Sequence, residues 1–195
     1  MNLYTVLLFV HMIGLTSLFG GVVLIQRSGI RLRRAATWEE ARTWLALLRD
    51  VRGMFAGGSG MLLVTGLWMT HLQWTFATPW VVVPAVLLVL FAVAGSGVGR
   101  AFARLEEGAA RRTGAIEGHE RAIVSSPALW SLIFAMNFGA LGIVWLMTTK
   151  PGWAVSIGVP LALTALGALV GRGVGGGRPR TEAARPLESG PGAAA

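Results

Sequence analysis

The first apolar stretch of the chain, residues 3–25, constrains the fold more than any other feature, because it contains no charged residue. About 20 apolar residues, at a helical rise of roughly 1.5 Å each, cross a hydrocarbon core of roughly 30 Å. The stretch lacks the basic segment and the small-residue cleavage site of a signal peptide, and it exceeds the usual run of about 7–15 apolar residues. We therefore expect a retained membrane-spanning helix.

Composition indicates that the rest of the chain is also membrane protein. Of its 195 residues, 54% are hydrophobic and 13% are charged, whereas soluble domains carry about 25% charged residues. The chain has no cysteine, which excludes disulfides, iron–sulfur clusters and thiol chemistry. The net charge of +8 is typical of the basic loops of a polytopic membrane protein. We therefore expect the lipid bilayer, and no nucleic acid, as a partner.

Breaker residues divide the chain into five predicted spans. Proline follows Thr78, Ser126 and Lys150, and such positions begin or end helices. The predicted spans cover residues 3–25, 54–74, 79–99, 127–149 and 152–170. The sequence thus predicts an all-α fold, a polytopic membrane helix bundle of five transmembrane helices, within residues 1–171. Residues 172–195, rich in Gly, Pro, Ala and Arg, are predicted to form a disordered cytoplasmic tail.

Basic residues are distributed asymmetrically between the loops. Of the 17 lysines and arginines, 16 lie in residues 26–53, 100–126 and 172–195, and the remaining one is Lys150. The positive-inside rule places those three segments in the cytoplasm. The N-terminus is then outside and the C-terminus cytoplasmic, as an odd number of spans requires. We expect a multi-pass protein of a bacterial inner membrane.

The first basic loop contains a further predicted helix. Thr37 and Glu40 have the spacing of a capping box, and Leu45 and Leu48 then fall on one apolar face. We expect an amphipathic helix over residues 38–51. It either lies on the inner leaflet or docks under the bundle.

Small residues recur at helical spacing in three predicted spans, where they let helices approach closely. The three sets are Gly14, Ser17 and Gly21; Gly95 and Gly99; and Ser131, Ala135 and Gly139. Ordinary packing within the bundle explains them. The alternative is a docking face for a membrane-protein partner or for a second copy of the chain.

Three polar side chains inside the predicted spans are candidate site residues. His11 lies roughly 12 Å into the membrane, His71 lies near the outer end of the second span, and Asn137 lies within one helical turn of the depth of His11. Hydrocarbon offers an imidazole no hydrogen-bond partner, so His11 should point into the bundle.

Two interpretations of these residues remain open. In the first, His11 and His71 are ligands of a haem b or of a transition metal between helices, and Asn137 is a further cofactor-binding residue that fixes the imidazole tautomer. A proton relay through His11 belongs to the same functional class. In the second, His11 is a neutral imidazole that joins two helices, and Asn137 does the same elsewhere.

Three stretches carry a resemblance to a known family: FVHMIGLTSLFGG at 9–21, MLLVTGLWMT at 61–70 and WLMTTKPG at 145–152. Together they resemble the bacterial predicted integral membrane proteins of domain of unknown function 2269 (DUF2269), over roughly residues 3–170. That resemblance implies a multi-pass inner-membrane protein and no established activity. His11 followed by two glycines is also similar to membrane protoporphyrinogen oxidases and copper-resistance D-type membrane proteins. That second likeness implies haem or metal at His11.

Several functional classes lose support from what the chain lacks. The predicted spans contain no aspartate or glutamate, which weakens a carboxylate-coupled transporter. The chain has no H-E-x-x-H, G-x-S-x-G or Walker motif, so no catalytic residue follows from it. Besides cofactor binding, two alternatives stay open: a non-catalytic accessory or scaffold subunit, and a transporter or channel for a small uncharged solute.

Overall fold

The computed structural model describes residues 2–176, and the regular elements in that range are all helices. In chain order they are α1 Leu3–Arg34, α2 Trp38–Gln73, α3 Pro79–Arg111, α4 Gly118–Val124, α5 Pro127–Thr149 and α6 Trp153–Gly176. Local chemistry explains where α1, α2 and α5 start, since the side chains of Asn2, Thr37 and Ser126 accept first-turn amides. The predicted all-α class is confirmed. Residues 172–176, which the sequence assigned to a disordered tail, continue α6, and the rest of that tail, residues 177–195, lies outside the described residues.

Within the described residues, four helical stretches are long and apolar enough to cross a membrane. They are Leu3–Arg34, Pro79–Arg111, Gly118–Thr149 and Trp153–Gly176. Helix α2 does not meet that standard, because glycines, threonines and His71 dilute the apolar side chains of its second half. The described residues thus contain four candidate membrane-spanning helices, while the fifth span remains a prediction.

Helix α2 is continuous over 36 residues, whereas the sequence predicted an amphipathic helix over 38–51 and a separate span over 54–74. Gly53 lies between the two, but one glycine in a helix costs only about 1 kcal/mol. The capping interaction at the start is as predicted, with the amide of Glu40 3.4 Å from Thr37 Oγ1. The amphipathic part docks under the bundle through Leu45 and Leu48. It continues without a break into the second half of α2.

The best-buried core lies at one end of the bundle, where α1 and α3 finish and α2 and α5 begin. We call this the arginine end. Leu45 and Leu48 of α2 pack there with Phe102 and Leu105 of α3 and with Ile133 of α5. Burying such side chains contributes about 1.5–3 kcal/mol each. Leu32 of α1 and Val124 of α4 belong to the same cluster, so this layer fixes the relative positions of α1 to α5.

Three arginines at this end bind the carbonyl groups that finish helices. Arg121 donates to the carbonyls of Arg33 and Ala35 at 3.1 and 2.7 Å, and Arg42 donates to those of Ala109 and Arg112, both at 2.7 Å. Arg33 itself donates to the backbone of Val174 and Gly175 at the end of α6. The last carbonyls of a helix lack intrahelical donors and carry partial negative charge. These arginines therefore stabilise the ends of α1, α3 and α6.

Glycines bring α1 and α2 into close contact. A Cβ atom added to Gly14 would lie 3.1 Å from the Gly58 carbonyl oxygen, and one added to Gly21 would lie 2.8 Å from the Phe55 ring. The predicted small-residue face of the first span is therefore buried within the chain.

The second close pair is α5 with α6. A Cβ atom on Gly139 would lie 2.7 Å from Thr164 Oγ1, and Ser131 Oγ donates to the Ala168 carbonyl at 3.0 Å. The small-residue face of α5 is thus also internal. Only the pair on α3 differs, since a Cβ on Gly95 or Gly99 would meet no atom within 4 Å.

The opposite end of the bundle is held by a cation and two aromatic rings, and we call it the tryptophan end. Lys150 Nζ lies 4.6 Å from the ring centroid of Trp74 and 5.2 Å from that of Trp80. The two rings meet edge to face at 4.8 Å. Such contacts stabilise by about 0.5–1 kcal/mol at exposed sites. They join the α2–α3 turn to the α5–α6 turn.

Candidate functional site at His11

The imidazole of His11 lies at the interface of α1 and α2. Its Nδ1 is 2.9 Å from Thr65 Oγ1. The imidazole is part-buried and is directed into the protein, as the sequence predicted for a polar group in an apolar span.

The hydrogen bonds of Thr65 determine the tautomer of His11. The Thr65 hydroxyl donates its only hydrogen to the Met61 carbonyl at 2.6 Å. Its oxygen must then accept from His11, so Nδ1 carries the proton. A neutral imidazole has one N–H, which leaves the lone pair of His11 on Nε2. This is how a partner on the other nitrogen fixes a histidine that ligates through Nε2.

Gly66 lets the imidazole approach the backbone of α2. A Cβ atom added there would lie 3.4 Å from His11 Cε1 and 3.8 Å from Nδ1. An alanine would make ordinary contact, whereas a larger side chain would displace the ring. The position of His11 therefore depends on two consecutive residues of α2, Thr65 and Gly66.

The structure does not bring His71 to this place. Leu62 marks the side of α2 that faces α1, because its Cγ lies 3.3 Å from a Cβ added to Gly14. His71 is nine residues further, which is about 180° around a helix of 3.6 residues per turn. Its side chain is exposed on the opposite face. A cofactor between His11 and His71 therefore does not fit this arrangement.

Asn137 makes no hydrogen bond with His11 in the part of the chain that the structure describes. Its Nδ2 is buried and has no hydrogen-bond partner within residues 2–176. Thr65, and not Asn137, is the hydrogen-bond partner of His11 Nδ1, and a cofactor-binding role of Asn137 stays a prediction. The sequence signal for Thr65 is weak, because a threonine in the middle of a span normally bonds its own helix, and Thr65 does that as well.

A metal centre with several protein ligands has no ligand set in the described part of the chain, where no group of three or more His, Cys, Asp or Glu side chains comes together. One histidine with a free lone pair suits a different ligand. Haem iron is held by four porphyrin nitrogens and needs only one or two axial ligands from the protein. At this position the described residues offer one such ligand, His11.

Comparison with known proteins agrees with the membrane class. A family model described as "Predicted integral membrane protein (DUF2269)" matches residues 5–151, a stretch that includes His11 and Thr65. No curated protein and no solved structure matches the chain. The match confirms the resemblance seen in the three stretches of the sequence. The chain belongs to the DUF2269 family of predicted integral membrane proteins.

Proposed function

We propose that this integral membrane protein crosses a bacterial inner membrane five times, with its N-terminus outside and its C-terminus in the cytoplasm. Two observations support the fifth span. Helix α1 finishes at the arginine end, and α3 starts at the tryptophan end, where Trp74 contacts Trp80. Helix α2 then returns the chain from one end to the other. Arginines near the cytoplasm and tryptophans at the interfaces are typical of the proposed orientation.

Cysteine labelling tests this topology cleanly, since the chain has no cysteine of its own. Ala77, in the α2–α3 turn, and Ala110, near the end of α3, are both exposed. In right-side-out vesicles, a membrane-impermeant maleimide should label Ala77→Cys at once and Ala110→Cys only after permeabilisation. Labelling of both from the same side would show that α3 does not cross. Labelling of Ala110→Cys alone would contradict the proposed topology, because α3 would then start on the cytoplasmic side.

We propose further that the protein binds haem b between its membrane helices, with His11 as the axial ligand. The hydrogen bond from His11 Nδ1 to Thr65 carries this proposal, because it leaves the lone pair on Nε2. Thr65 orients the ring and keeps its proton on Nδ1. Gly66 leaves room for the imidazole ring of His11 beside α2. Bound haem would supply one-electron chemistry within the membrane.

An absorption spectrum of the purified protein, expressed with sufficient haem, tests the proposal. We expect a Soret band, with sharp α and β bands on reduction, that is lost in His11→Ala. Thr65→Val keeps the shape of residue 65 and removes the acceptor. It should retain the Soret band and shift the midpoint potential, because the basicity of Nε2 depends on the hydrogen bond at Nδ1. His71→Ala is the matched control and should change neither property.

A featureless spectrum of the wild-type protein, with His11→Ala affecting only stability, would refute haem binding. The hydrogen bond would then join α1 to α2, with a contribution of about 0.6 kcal/mol and at most about 1.7 kcal/mol. Loss of the Soret band in His71→Ala as well would contradict the arrangement in which His71 faces away from His11.

A further inference from the structure

A groove of about 660 Å³ runs between α5 and α6 at the arginine end of the bundle. One part of its lining is apolar, and one end is polar. Leu132, Ala135 and Ala168 provide an apolar part, and Ser126 and Arg172 provide a polar end. The groove is separate from the His11 site, which lies between α1 and α2. The groove therefore has no part in the proposed haem binding.

Arg172 is the charged group of this groove. Its side chain is exposed, and it has no ion pair with any residue from 2 to 176. It follows the uncharged part of α6, Trp153 to Gly171, and so lies where an apolar helix leaves the hydrocarbon. Lipid headgroups occupy that level of the membrane.

Ser126 can contribute a second donor. Its Oγ accepts the amide of Leu129 at 3.4 Å as the N-cap of α5. That bond uses a lone pair of the oxygen and leaves the hydroxyl hydrogen. A guanidinium and a hydroxyl at one end of an apolar groove match a phosphate group joined to an acyl chain.

We propose that this groove binds an anionic phospholipid, with its phosphate at Arg172 and Ser126 and an acyl chain along Leu132, Ala135 and Ala168. The charge of Arg172 and the apolar walls together favour this occupant over a soluble anion, which would gain nothing from the walls. A net negative headgroup gains more than a zwitterionic one, by about fivefold in affinity for one arginine near the surface.

Native mass spectrometry of the full-length protein in detergent tests the proposal, with phosphatidylglycerol and phosphatidylcholine of identical acyl chains as probes. We expect one phosphatidylglycerol bound about fivefold more tightly than phosphatidylcholine. Arg172→Gln should abolish this preference. Arg100→Gln removes an exposed arginine of α3 outside the groove and should preserve it.

A second variant tests the groove itself. Ala128 is exposed and lines the groove, so Ala128→Phe should fill part of it without disturbing the core. It should weaken the binding of both lipids. Equal binding of the two lipids by the wild-type protein would overturn the proposal. So would losses in Arg172→Gln no larger than those in Arg100→Gln, or unchanged binding by Ala128→Phe.

Discussion

The close contact of α5 and α6 predicts that Gly171→Ala destabilises the protein. A Cβ atom on Gly171 would lie 2.3 Å from the Trp130 carbonyl oxygen and 2.8 Å from Ser131 Cα. Both are backbone atoms, so no side chain can rotate away. To restore ordinary van der Waals contact the two helices must separate locally by roughly 1 Å.

The magnitude follows from how little the interface can relax. Gly167 and Gly175, one turn to either side, are equally close to α5, with Cβ positions 2.4 Å from the Phe134 carbonyl oxygen and 2.5 Å from Pro127 Cα. Overpacking typically destabilises by about 1–3 kcal/mol. Replacing a helical glycine with alanine offsets about 0.5–1 kcal/mol of that. Because the neighbouring contacts prevent relaxation, the upper end of the overpacking range applies, and we expect a net loss of about 2 kcal/mol.

Unfolding in detergent, followed by circular dichroism, measures this loss. Gly173→Ala is the matched control, because it lies on the same helix and an added Cβ meets no atom within 4 Å. It should leave stability unchanged or raise it slightly. If Gly171→Ala unfolds at the same denaturant concentration as Gly173→Ala, then α5 and α6 do not pack through this face.

Two further predictions concern the arginine end. Arg121→Gln removes the bonds to the Arg33 and Ala35 carbonyls and should lower the free energy of unfolding by about 2 kcal/mol; Arg104→Gln, an exposed arginine, should have little effect, and equal losses would refute the capping role. The backbone amide of Glu120 and the Arg112 guanidinium lower the pKa of the Glu120 carboxyl. Its contribution to stability is therefore complete above the unfolded pKa, about 4.3, and is lost as the pH falls through the lower folded value. Glu120→Gln should flatten the decline of the melting temperature below about pH 4.5, and an unchanged decline would contradict this.

Much of the helical organisation was predictable because its signals are local. Helix α5 has the predicted bounds, since Ser126 and Pro127 begin it and Pro151 follows its end. The continuity of α2 was not predictable in the same way. The pattern changes from amphipathic to apolar near Gly53, and only the packing on both sides shows that the helix continues.

One part of the candidate site, the inward position of His11, was predictable from local sequence, and the identity of its partner was not. A histidine in an apolar span must find a partner, so the importance of His11 and its inward direction follow from its sequence context. The choice of Thr65 over Asn137, and the outward position of His71, depend on the rotation and register of α2 against α1. Those are set by Gly14 and Gly58 in contact, which the sequence cannot pair.

By itself the sequence determined that the protein is helical, that it belongs in a membrane and that its basic residues collect at one end. These properties depend on composition, on periodicity and on breaker residues, which act within a few residues along the chain. Only the tertiary structure decided which small-residue faces pair, which arginines bind helix ends and which nitrogen of His11 carries its proton. Each of these depends on atoms from helices distant in sequence, whose relative rotation no local pattern specifies.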